Sequence, residues 1–188
     1  MLMRYEIQLQ TMIKAMVDTV LPAVDPLNAL AQEQSRLVIG TLMLMADQLP
    51  LQFRFDCDEL TRMIGFADEL GALLEDCTGT VAEALPALTA STAAGRSLLS
   101  RPMADPTEIV AVARAIRAAS DHLVDVVFTD ECARAYRAGV RRVVLDHSRS
   151  EIMRDRLWTR SQGFEPDTED LPTIESVLVP LAFGLVTT

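Results

Sequence analysis

Cysteine, lysine, aromatic residues and long apolar runs are all scarce in this chain, and each scarcity excludes something. Cys57, Cys77 and Cys132 are the only thiols among 188 residues. No two stand in CxxC spacing, so neither a zinc knuckle nor a dithiol redox motif is written here. Three separate thiols suit a reducing compartment. Basic residues number 17 against 27 acidic ones, for a net charge of −10. Phosphate neutralisation needs clustered lysine and arginine, so general nucleic-acid binding is excluded as the expected role. The longest apolar stretch in the body of the chain, Leu37 to Ala46, is interrupted by Gly40 and Thr41. It is half the length of a membrane span, so no membrane association is expected. The first residues carry Glu6 and no apolar h-region, unlike a secretory signal. The expectation is a soluble, cytoplasmic protein.

About half of the composition is apolar, which is too much for a disordered chain. A chain of this length most often forms one domain and buries roughly 70% of its unfolded surface. A single helical domain over residues 1–188 is therefore expected. The periodicity is helical nearly throughout. Tyr5, Leu9, Met12, Met16 and Val20 follow three-four spacing, with Ile13, Val17 and Leu21 beside them. Asp25-Pro26 reads as the cap and first position of a second helix, from about Pro26 to Leu49. Its stripe is Leu30, Leu37, Val38, Met45 and Leu49. Asp56 and Glu59 predict a capping box for a third helix, whose face holds Leu60, Met63, Ile64, Ala67, Leu70 and Leu74. Gly71 lies on that face, where it would let another helix approach closely.

Thr80 and Glu83 offer a second capping box for a weaker fourth helix, with Pro86 inside its second turn. Residues 89–95 read as frayed helix or loop. Asp105-Pro106-Thr107-Glu108 is the strongest start signal in the chain. The fifth helix follows it, and residues 128–130 break or bend what comes next. A sixth helix runs from about Glu131 to Arg160, then an acidic loop, then an apolar tail over 174–188 containing Pro180 and Gly184. The predicted fold is all-α: an antiparallel bundle of five or six helices with an apolar C-terminal tail. The tail must dock either on its own bundle or on a second subunit, because large apolar side chains are each worth roughly 1.5–3 kcal/mol when buried.

Candidate chemistry gathers on the sixth helix. At 100° per residue, Cys132, Tyr136, Gly139, Val143, His147 and Leu157 share an apolar face. His147 therefore points inward or to an interface, and Glu151, one turn on, can accept its ring proton. The plain reading is a satisfied core histidine; the chemical one is a proton-transfer dyad, with Tyr136 completing a pocket. His122, beside Asp121 and one turn before Asp125, reads as a solvated surface histidine. Di-iron bundles need Glu-x-x-His pairs. Val144 and Ala119 occupy the glutamate positions before His147 and His122, so no metal and no cofactor is expected. From Arg134 to Arg160 the helix carries eight arginines. Arg142, Arg149 and Arg156 recur every seven residues with Arg160 one turn beyond. This row is a candidate anion site for a phosphate, a nucleotide-like group or an acidic partner, or simply a solvated face.

The sequence thus suggests a self-associating interaction or accessory protein, most simply a homodimer, with a further protein partner allowed. The competing reading is a small-molecule-binding protein or enzyme, with a pocket near His147, Glu151 and Tyr136 and an arginine-lined anion site.

Overall fold

A computed structural model describes residues 4–162 and 171–178. All regular structure among them is helical, as the periodicity predicts, and no strand occurs among the described residues. Residues 163–170 and 179–188, the core of the acidic loop and the end of the apolar tail, lie outside the described residues.

The chain forms two compact units. The first holds residues 4–52, 154–162 and 171–177 of the described chain. Its main feature is a helical hairpin. Helix α1 (Tyr5–Ala15) continues through one π-helical turn, Met16–Val20, into the short α2 (Leu21–Ala23). Pro22 is the cause. It has no amide to give to the Asp18 carbonyl, and its ring would crowd that oxygen. The Leu21 amide reaches back five residues to Met16 instead, which is the bonding of a π-turn. Val24 is extended and ends the helix.

The next helix starts three residues later than the Asp25-Pro26 pair predicts. The Asp25 carboxylate folds back to accept the Leu27 amide at 2.9 Å. Asn28 becomes the cap of α3 (Ala29–Gln48), accepting the Ala31 amide at 3.1 Å. The Gln32 side chain donates to the Val24 carbonyl and closes the hairpin. At the far end of α3, the Gln48 side chain donates to the Trp158 carbonyl.

The second unit holds residues 53–153 and Leu178 of the described chain. It comprises α4 (Gln52–Leu74), α5 (Thr80–Leu99), α6 (Pro106–Thr129), a 3₁₀ segment (Glu131–Tyr136) and α7 (Arg137–Trp158) up to Met153. Its core is one continuous aliphatic cluster. Leu60, Met63, Leu70 and Leu74 from α4 meet Val81, Leu88 and Leu98 from α5. Ile109, Ile116, Leu123 and Val127 from α6 and Val140 and Val143 from α7 complete it.

Two predicted capping boxes do not form. α4 begins at Gln52, so Asp56 lies inside the helix and is buried. α5 begins at Thr80 with Gly79 as its cap, at φ +68°. An L side chain is strained in that backbone region. The Thr80 hydroxyl turns away to the Asp130 carboxylate at 2.6 Å. α5 then runs unbroken through Pro86 and residues 89–95; the proline leaves the Ala82 carbonyl without its ladder donor. The Asp105 cap forms as predicted, accepting the Thr107 amide at 2.7 Å.

Gly71 also differs from its expectation: a side chain there would meet nothing within 4 Å. The close approaches fall at two other glycines. A Cβ on Gly95 would stand 3.0 Å from Ile64, and one on Gly139 would stand 2.9 Å from Leu73. These glycines set the spacing of α5 and α7 against α4.

Asp130 ties one end of this unit together. Besides Thr80 it accepts the Cys132 amide at 2.8 Å, which caps the 3₁₀ segment and separates α6 from α7. Its carbonyl accepts from Arg137, which also donates to the Val127 carbonyl and to Glu131.

Ser120 is fully buried in α6 and its hydroxyl meets no hydrogen-bond partner. An unsatisfied buried hydroxyl costs more than it returns, so Ser120→Ala raises unfolding stability by about 1 kcal/mol in urea titration. The bonds from Thr80 and Cys132 hold the Asp130 carboxyl below its usual range. A depressed carboxyl contributes stability above its unfolded pKa of about 3.9 and loses it as pH falls through the folded value. Asp130→Ala is therefore less stable than the parent at pH 7, and the gap closes in acid below about pH 4. Urea midpoints measured across that range check it.

Candidate functional site

A seam with polar contacts runs between α4 and α7 in the second unit. Gly139 meets Leu73, His147 stacks on Phe66, and Ser150 meets Arg62. Each step forward along α7 is matched by a step back along α4, as antiparallel neighbours require. Farther back, Tyr136 pairs with Cys77, whose thiol holds the phenol above its usual range.

Asp58, Arg62 and Phe66 stand four residues apart, on one line of α4. The Asp58 side chain is fully buried, and its carboxylate accepts from Arg62 Nε at 2.6 Å. The second arm of the guanidinium donates to Ser150 Oγ at 2.5 Å. Beyond them, the Arg54 guanidinium donates to the Leu178 carbonyl at 2.6 Å, and Leu178 is buried. The tail thus begins on its own chain. Phe66 and His147 lie nearly parallel, with ring centroids 4.3 Å apart and planes 15° apart. Cys57 is buried nearby in sequence, and burial together with the Asp56 charge pushes its thiol pKa up, away from the reactive thiolate.

The candidates from the sequence are dispersed. His147 and Glu151 are half-buried on α7, one turn apart. Tyr136 is held by Cys77, roughly 16 Å back along the axis from His147, so the three do not converge on one pocket. Arg142 and Arg149 are exposed on the second unit, Arg149 beside Asp146 at 3.0 Å. Arg156 and Arg160 belong to the first unit and are half-buried. His122 is exposed. Cys132, expected on the apolar face, is exposed because residues 131–136 form a 3₁₀ turn rather than α-helix. Among the described residues no group of three or more His, Cys, Asp and Glu side chains could hold a metal ion. No described helix is long and apolar enough to cross a membrane.

Sequence reasoning missed Asp58, Arg62 and Phe66. The signal was an i, i+4, i+8 row, hidden beside the stronger apolar stripe of the same helix.

The hairpin of the first unit presents a different kind of surface. α1 packs against α3, yet among the described hairpin residues only Leu9 is buried. Leu30 is 68% exposed and Leu37 52%, and Val38, Met45 and Leu49 are also exposed. Tyr5, Ile7, Met12, Val17 and Val20 are exposed on the α1 side. The predicted stripe of α3 is therefore present, residue for residue, but faces outward.

No protein-family model matches this chain, and no curated protein and no solved structure is significantly similar to it.

The ion pair of Asp58 and Arg62 generates a direct expectation. Removing one partner of a buried carboxylate is costly, so Arg62→Leu lowers unfolding stability by about 2–3 kcal/mol, and Ser150→Ala by less than about 1 kcal/mol. Urea unfolding of the two variants checks the order.

Proposed function

We propose that this protein is a self-associating helical interaction protein that pairs as a homodimer through the hairpin of α1 and α3, within the cytoplasm. The observation that carries the reading is the outward stripe of α3. Leu30 and Leu37 stand seven residues apart, as do Val38 and Met45, and Leu49 follows one turn later. Apolar positions in sevens and fours are what a neighbouring helix reads. Exposed contiguous apolar surface of this kind marks contact sites.

A second copy is the simplest occupant. A two-fold axis lays one hairpin on its twin and turns two pairs of helices into four, so that each helix packs against two neighbours instead of one. The stripe side chains are already partly covered. Completing their burial contributes roughly 1 kcal/mol each, set against the cost of association. Met43 and Met45, also exposed, give the surface the adaptability of thioethers.

A small-molecule site at His147 and Glu151 is the second reading, favoured by the stacked ring pair of His147 and Phe66. Native mass spectrometry separates the two: a dimer of unmodified mass supports the first, and retained excess mass the second. The hairpin reading expects a wild-type dimer at micromolar concentration. The paired substitution Leu30→Arg with Leu37→Arg should yield a monomer with unchanged helical circular dichroism. A wild-type monomer at that concentration contradicts it.

A further inference from the structure

Sulfur is unevenly placed in this chain. Of the seven methionines among the described residues, Met12, Met16, Met43 and Met45 lie on the hairpin, which is a minority of the described chain. In the second unit Met63 is buried in the core, and Met103 stands 91% exposed. The described hairpin holds no cysteine, histidine or tryptophan. Its thioethers are therefore the side chains there that a peroxide oxidises most readily.

Two of these thioethers share one face. Leu9 is buried and marks the side of α1 that packs on α3. Ser35, Ile39, Leu42 and Ala46 are half-buried and mark the side of α3 that packs on α1. At 100° per residue, Met12 is rotated about 60° from Leu9 and Met45 about 100° from Ala46, in the same sense. In antiparallel neighbours, the same sense of rotation leads to the same side of the seam. The Gln32 side chain closes the hairpin on the Val24 carbonyl. Met12 stands twelve residues before Val24 and Met45 thirteen after Gln32, so the two lie within about one turn of the same height. Both are accessible, Met12 at 46% and Met45 at 49% exposure. Met45 is also a member of the outward stripe, seven residues after Val38.

Resting on the hairpin reading above, we propose that Met12 and Met45 are modification sites that make self-association sensitive to oxidation. Hydrogen peroxide converts both thioethers to sulfoxides, and the sulfoxides keep a second copy off the hairpin. The sulfur lone pair attacks one peroxide oxygen. An S–O bond forms, the O–O bond breaks, and the leaving hydroxide takes the remaining proton to become water. Sulfur is oxidised by two electrons and the peroxide is reduced by two. On the single chain the new oxygen is hydrated. Pairing would strip that water from it against an apolar stripe, a penalty the thioether does not carry. Two copies bring four such sulfurs together. Leucine would fill the same space with no lone pair to oxidise.

Sedimentation velocity on the full chain, before and after hydrogen peroxide, tests this, with the sulfoxides located by peptide mass spectrometry. Oxidation of Met12 and Met45 should raise the dimer dissociation constant at least about tenfold. Met12→Leu with Met45→Leu should pair like the parent and ignore the peroxide. Met12→Gln with Met45→Gln places a hydrated amide at each site and should weaken pairing with no peroxide added. Circular dichroism should be unchanged in both variants. Protection is reciprocal. Met12 and Met45 should oxidise several-fold more slowly at protein concentrations where the dimer dominates than on dilution, while Met103 reacts equally at both. A parent dimer that survives full oxidation of Met12 and Met45 overturns this inference alone. So does a leucine variant that peroxide still dissociates, because the effect then belongs to other side chains, and so do equal oxidation rates of Met12 and Met45 at the two concentrations. A parent that is monomeric before any peroxide is added overturns the hairpin reading as well.

Discussion

Two helices packed as a hairpin can each bury one line of side chains against the other, and no more. Everything else on them faces outward unless a third surface covers it. In this protein the hairpin of α1 and α3 carries apolar residues on more than one line. The half-buried residues of α3 include the small Ala31, Ser35 and Ala46 beside Ile39, Leu42 and Leu44, and none of them is fully buried. The bulkier line, Leu30 through Leu49, is only partly covered. Apart from Leu9 and Leu157, every buried apolar residue described belongs to the second unit. The hairpin therefore cannot owe its stability to its own core, and the proposal of self-association follows from that shortage.

The second unit shows the opposite balance. Four helices enclose a dry aliphatic cluster, and two glycines set how closely they approach. Gly95 admits Ile64, Leu60 and Ile116, and Gly139 admits Leu73. One end is tied by Asp130 and its partners, and the polar seam of α4 and α7 carries a buried carboxylate held by Arg62. Asp105 below its usual pKa, held by Thr107, adds a further cap that depends on ionisation.

Much of this was legible in the sequence, and the failures have physical causes. Helical class followed from period, and the cap at Asp105 followed from three adjacent signals that agree. The stripe of α3 is legible in every residue but its outward direction is not, because periodicity reports amphipathicity and not the partner. Asp56 and Thr80 satisfied the pattern of a capping box, yet one sits inside a helix and the other bonds to Asp130, fifty residues away. A local motif cannot register a competing long-range acceptor. Gly71 lies on an apolar face, yet the close approaches fall at Gly95 and Gly139, because close approach depends on which neighbour stands opposite. Tyr136 and His147 share a face in projection, but the distance along the axis separates them, and the 3₁₀ turn before α7 shifts Cys132 to the surface.

Hydrogen exchange of the full chain at two concentrations tests the central claim most directly. If the hairpin is completed by a second copy, amides of α1 and α3 exchange slowly at high protein concentration and lose protection on dilution. Amides of the second unit's core, α5 and α6, should keep theirs at both. Equal protection of the hairpin at both concentrations, in a protein that is monomeric at the lower one, would contradict the account, because the hairpin would then be stable without a partner.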